Sequence, residues 1–139
     1  MAAAKPTVLG LAADLAAGRT TSRALVDEAL ARIADPAGEG SRTFIKVYAD
    51  RARAAAEAQD QLRKAGYVAS PLAGLPVSIK DLFDIAGERS LAGSKALDDT
   101  PPAEHDAPAI ARLRAAGAVL IGRTNMTEFA FSGVGINPH

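Results

Sequence analysis

The chain has no cysteine and no tryptophan, and aromatic residues make up only 4% of it. Without cysteine there is no disulfide framework, no thiolate metal site and no cysteine nucleophile, which fits a reducing compartment. Net charge is also absent, since 16 basic residues balance 16 acidic ones. With no excess of either sign to supply attraction, neither nucleic acid nor an anionic membrane is expected as a partner. No apolar run reaches the roughly 20 residues that a membrane span needs. The alanine-rich start, "MAAAKPTVLGLAADLAAG", is interrupted by Pro6 and Asp14 and is too broken for a signal peptide. A cytoplasmic protein is the expectation.

What is present suits a globular chain. Of 139 residues, 48% are apolar and 23% charged, and a domain of this size buries about two-thirds of its unfolded surface. Residues 7–17 form a weak helix candidate ending at Gly18. In "TTSRALVDEALARIAD" the pattern is stronger: Thr21 or Ser22 can cap, and Leu25, Val26, Ala29, Leu30 and Ile33 share one face. Pro36, Gly38 and Gly40 end it. "TFIKVYA" (43–49) reads as a strand. Asp50 is positioned to cap a polar, alanine-rich helix running to about Ala65, with Gly66 at C′. On that helix Arg53–Glu57 and Asp60–Lys64 have the spacing of i,i+4 ion pairs.

The second half has another rhythm. "PVSIK" (76–80) reads as a strand, followed by a loop to about Pro102. "HDAPAIARLRAAG" gives a helix capped by Asp106, with Pro108 in its first turn and Gly117 past its end. "AVLIG" (118–122) follows at once as a strand. Strand, helix, strand, with near-continuous apolar strands, implies parallel pairing buried on both faces. The fold class is therefore α/β with an α-helical N-terminal portion. The chain stops at "FSGVGINPH", glycine-rich and without a closing element, and is expected to be cut there.

One residue stands out as a candidate for chemistry. Lys80 closes the apolar strand of "GLPVSIKDLF", and alternation puts Ser78 on its face while Val77 and Ile79 turn toward a core. A free lysine has a pKa near 10.4, so only about one in a few thousand is neutral at pH 7. Desolvation by up to roughly 3–5 units would make it a usable base. The residues alone leave two readings open: a strand-end lysine reaching water and paired with Asp81, or a working base. A Ser78–Lys80 dyad lacks any oxyanion-hole pattern beside it, and no Gly-x-Ser-x-Gly elbow occurs. His105 and His139 fall in separate loops, so neither a metal nor another cofactor is expected. "GRTNMTEFAFSGVG" (122–135) leaves the C-terminal end of a buried strand, where open α/β sheets place ligand sites. A capped helix start followed by a glycine-rich turn would explain it equally well. "GERSLAGS" (87–94) lacks the spacing and terminal residues of a phosphate loop.

Taken in order, "PLAGLPVSIKDLFDIAG", "LAGSKAL", "DAPAIARLRAAGAVLIGRTNMTEFAFSG" and "NPH" resemble the first third of the amidase signature family. "TSRALVDEALARI" and "FIKV" resemble that family's N-terminal helices and first strand, so the resemblance covers about residues 7–139. It implies an amidase-signature mixed β-sheet flanked by helices, of which residues 1–139 form the N-terminal portion of a single domain. Helices would occupy about 7–66, and the start of the catalytic α/β core about 72–139.

The resemblance also implies hydrolysis of amide C–N bonds by a serine nucleophile, a second serine in a cis peptide linkage, and a lysine as ultimate base. The family's lysine falls on Lys80, which would be buried and neutral. Ala130, Phe131, Ser132 and Gly133 would border the channel for the acyl group, with Asn125 and Glu128 supporting that loop. The Gly-Ser-rich stretch carrying both serines and the oxyanion amides is expected downstream of "NPH", so this chain would supply only the base. The implied partner is a small-molecule amide, and a homo-oligomer stays open. Two alternatives remain. One is the A subunit of a tRNA-dependent glutamine amidotransferase, against which "GVGINPH" lacks the polar Ser- and Glu-containing run expected after "NMTEF". The other is a truncated, non-catalytic product that only binds or assembles.

Overall fold

The computed structural model describes residues 6–139. In chain order the elements are α1 (Val8–Ala16), α2 (Ser22–Ala34), a single helical turn α3 (Gly40–Thr43) and β1 (Phe44–Val47). There follow α4 (Ala49–Lys64), β2 (Pro76–Lys80), α5 (Pro108–Ala115) and β3 (Val119–Thr124). The sheet has the order β1-β3-β2, with β3 antiparallel to β1 and parallel to β2. The expected parallel pair is present, joined through α5. The antiparallel β1 makes the sheet mixed.

Two apolar layers sandwich β3, because successive strand side chains point to opposite faces. Val119 and Ile121 pack with Val26 and Leu30 of α2 and with Ala52 and Ala56 of α4. Leu120 joins Ile79 of β2, Ile110 of α5, Ile85 and Tyr48 on the other side. Each fully buried Val, Leu or Ile side chain is worth about 1.5–3 kcal/mol. A smaller cluster, Leu15, Leu25 and Leu75, attaches α1 to α2 and to the entry of β2. These contacts leave β3 buried along its length, which fixes where the C-terminal ends of β2 and β3 emerge.

Helix ends follow local chemistry in part. The Thr21 hydroxyl accepts from the Ala24 N–H and caps α2, while Gly66 and Gly117 take left-handed φ after α4 and α5 as anticipated. Two assignments are corrected. Tyr48, not Asp50, holds the N-cap position of α4, and Asp50 lies within the first turn. Ala107, not Asp106, holds that position on α5, because the Asp106 carboxylate accepts from the Ala86 N–H at 2.8 Å and from Arg114 Nε at 2.8 Å.

The i,i+4 pairs are also replaced. Arg53 turns to Asp27, Glu57 to Arg23, and Asp60 accepts from the Ser22 and Arg23 N–H groups at 2.7 and 3.0 Å. Contact between α2 and α4 redirects these side chains across the interface. Among the described residues no helix is long and apolar enough to cross a membrane.

Candidate active site

Lys80 is the last residue of β2 and pairs with Thr124, the last of β3. The next N–H, that of Asp81, donates to the Thr124 carbonyl at 3.1 Å. The lysine backbone is thus held on both sides of its Cα. Ile79 is buried, whereas Ser78 and Lys80 are exposed. Residues 6–139 therefore do not supply the burial of Lys80 that the resemblance implies. Nor does Lys80 take Asp81 as its partner. Asp81 is 1% exposed and turns into a buried polar cluster.

Arg123 of β3 is the centre of that cluster and is itself 2% exposed. Its Nε donates to Asp81 Oδ1 at 3.0 Å, and its Nη2 donates to the Phe83 carbonyl and the Ser90 hydroxyl, each at 3.1 Å. Nη1 lies 3.8 Å from Glu88 Oε2. The Tyr48 hydroxyl donates to that same oxygen at 2.7 Å, and Lys46 Nζ stands 3.2 Å from Oε1. Burial, then the bond to the Glu88 carboxylate, push the Tyr48 hydroxyl well above its usual pKa. A buried ion pair persists only when further hydrogen bonds satisfy both partners. Here the loop after Lys80 provides them for the Asp81 carboxylate and for Nε and Nη2 of Arg123, whereas among the described residues Nη1 and Glu88 Oε1 are buried without a hydrogen bond.

The loops beyond the strand ends carry backbone strain. Ala92, Phe129 and Ala130 have φ of 50, 51 and 58°, a region costing a non-glycine residue on the order of 1–3 kcal/mol. The Ala92 N–H donates to the Asp81 carbonyl at 2.9 Å, and the Phe129 N–H donates to the Ala92 carbonyl at 2.9 Å. Asp81 Oδ2 also accepts from the Gly93 N–H at 3.1 Å.

Glu128 and Asn125 support these loops. Glu128 accepts from the Ser94 hydroxyl at 2.5 Å and lies 3.5 Å from His139 Nε2. The Ser94 bond, then His139, hold its carboxyl below the usual range. Asn137 Nδ2 donates to the Met126 carbonyl at 2.7 Å, to the Gly93 carbonyl at 2.8 Å and, more weakly, to Asn125 Oδ1 at 3.4 Å. A cavity of about 270 Å³ lies among Asp81, Gly93, Ser94, Asn125, Asn137 and His139.

The stretch Ala130-Phe131-Ser132-Gly133 leaves this cluster and is exposed, Phe131 at 92%. The Ser132 hydroxyl accepts from the Val134 and Gly135 N–H groups of its own turn. Among the described residues no hydrogen bond joins Ser132 to Lys80, and no group of three His, Cys, Asp or Glu side chains could hold a metal ion. Sequence reasoning missed Tyr48, Glu88 and Arg123. The available signal was Arg123, a charge directly following "AVLIG" in a strand buried on both sides.

The sequence model of the family described as Amidase matches residues 24–139. The chain is 48% identical over 125 residues to AtzE, a component of the 1-carboxybiuret hydrolase of Pseudomonas sp. (strain ADP), covering 90% of this chain and 27% of that protein. It is 46% identical over 124 residues to the A subunit of the glutamyl-tRNA(Gln) amidotransferase of Chromohalobacter salexigens, covering 89% and 25%. The solved structure of the peptide amidase from Stenotrophomonas maltophilia superposes with a TM-score of 0.78 at 37% identity, covering 91% of this chain and 26% of that one. The chain thus spans about a quarter of the length of the curated relatives it matches.

Proposed function

The chain belongs to the amidase family, and on that premise we propose that it is the lysine-bearing N-terminal portion of an amide-hydrolysing enzyme. Residues 1–139 would begin one amidase domain, with helices over about 7–66 and the start of the catalytic core over about 72–139. Lys80 serves as the base. A serine nucleophile and a cis-linked second serine come from polypeptide outside these residues. The nucleophile attacks the amide carbonyl, and its proton passes through the second serine to the Lys80 amine. The lysine returns that proton to the departing nitrogen as the C–N bond breaks. Water then releases the acyl group.

One observation carries this reading. Lys80 ends a parallel strand beside β3 with its backbone fixed by Thr124, and its side chain is free of the ion pair that would otherwise occupy it. The substrate is a small-molecule amide, with Ala130, Phe131, Ser132 and Gly133 bordering its acyl group. The enzyme works in the cytoplasm, and its assembly into a homo-oligomer is open to measurement.

The first measurement is the intact mass of the protein in solution. A mass well above that of these 139 residues supports the reading, and a fluorophosphonate should then label one serine. Release of ammonia or amine from a panel of aliphatic, aryl and peptide amides follows. Lys80→Ala should lower kcat by about 10²–10⁴-fold, the usual contribution of a general base, while Ser78→Ala stays within a few-fold of wild type. Near wild-type turnover in Lys80→Ala would end the assignment.

A second reading, the A subunit of a glutamine amidotransferase, is favoured by the 46% identity to one such protein. Ammonia release from glutamine but from no other amide would select it. A mass equal to the 139 residues would select the binding-only fragment.

A further inference from the structure

We propose that Asp81, clamped by Arg123, is a positioning residue that holds Lys80 in register with the two strained loops at the end of the sheet. This rests on the reading of Lys80 as the base.

The residue after Lys80 is tied at every polar atom. Its N–H donates to Thr124 on β3 and its carbonyl accepts from Ala92. Oδ2 accepts from Gly93, and Oδ1 accepts from Arg123. Through Ala92 the chain of bonds continues to Phe129, the strained residue that opens the Ala130–Gly133 stretch. Asp81 is thus the shared joint of three segments: the end of β2, the 90–94 loop and the 128–131 turn.

Arg123 keeps the joint closed. Its fork spans Asp81, the Phe83 carbonyl and Ser90, so it ties the start of the loop that leaves Lys80 to a point ten residues along it. Glu88 faces the remaining guanidinium nitrogen, and Tyr48 holds Glu88 in place. A lysine at position 123 would keep the charge but could not reproduce the planar fork that reaches all three. Positioning of a base has kinetic consequences, because a small misplacement of a reacting group costs rate without changing ground-state binding.

The test uses the complete enzyme, with Asp81→Asn, Arg123→Lys, Arg123→Met and Ser90→Ala compared with Lys80→Ala. Asp81→Asn should lower kcat about 10- to 100-fold with KM unchanged within twofold. Arg123→Met should match it, and Arg123→Lys should recover part of the loss. Ser90→Ala, which removes one acceptor near the surface, should lower kcat by a few-fold and is included because it preserves the buried pair. Amide exchange at Ala92, Gly93 and Phe129 should accelerate together in the Asp81 variant.

If Lys80→Ala abolishes turnover while Asp81→Asn and Arg123→Met keep wild-type kcat, the positioning role is overturned and the base assignment survives. A rise in KM with constant kcat also overturns it, since that would indicate substrate binding. If Lys80→Ala remains active, the underlying functional reading fails first.

Discussion

Tyr48 shows how much a single polar atom can weigh in a buried setting. Its ring packs with Ile79, Ile85 and Leu120, while its hydroxyl donates to one oxygen of a Glu88 carboxylate that is 8% exposed. Tyr48→Phe keeps the packing and removes the donor, leaving a buried carboxylate short of a hydrogen bond. The expected loss is about 1–3 kcal/mol, read as a lower urea midpoint with an unchanged slope. Asp106 supplies a prediction with a pH sign. The Ala86 N–H, then Arg114, hold its carboxyl below its ordinary value of 3.8. The folded state therefore binds the Asp106 proton more weakly than the unfolded state does. Its contribution to stability is complete above 3.8 and is lost as pH falls through the lower folded value. In Asp106→Asn, stability should fall less steeply with acidification below about pH 4, followed by circular dichroism at constant ionic strength.

At the scale of elements, the junction of α2 and α4 depends on a cap donated from a distance. Asp60 of α4 accepts from two free N–H groups at the start of α2, where the helix dipole also favours a negative charge. Asp60→Ala should cost about 1–2 kcal/mol, whereas Glu57→Gln, which loses only a solvent-exposed ion pair with Arg23, should move the midpoint little. A thermal-denaturation series of the two variants decides this. The same junction marks the limit of what local pattern reveals. The apolar stripe of α2, the runs of β2 and β3, and the glycines after α4 and α5 are readable because each depends on neighbours within a few residues. The cap from Asp60 lies 38 residues from its recipient, and Asp81 and Arg123 are 42 apart. No local spacing announces either. Asp106 does not cap α5 for a related reason: the local rule names a residue able to cap, and the Ala86 N–H and Arg114 hold Asp106 instead. Lys80 was legible as a charge at the end of an apolar strand. Its freedom from Asp81 became visible only with Arg123 in view.

At the scale of the molecule, the sheet is narrow and open. Among the described residues β1 and β2 each pair only with β3, so both outer edges present unpaired backbone donors and acceptors. Such edges template pairing with other chains unless they are covered or charged. Beyond the sheet, Phe131, Val134 and Ile136 are 92, 78 and 70% exposed, and Leu9 is 77% exposed at the other terminus. Exposed apolar surface of this extent on a chain that spans a quarter of its relatives' length favours association over a dispersed monomer. Residues 1–139 produced alone should therefore elute in size-exclusion chromatography with light scattering as species larger than one chain, and melt broadly. Substituting Val134 and Ile136 with serine should reduce the association only in part, because the strand edges remain. A monomer with one sharp, reversible unfolding transition would show instead that the two layers around β3 suffice for an independent fold, and that the exposed face at the end of the sheet is tolerated by water without a cover.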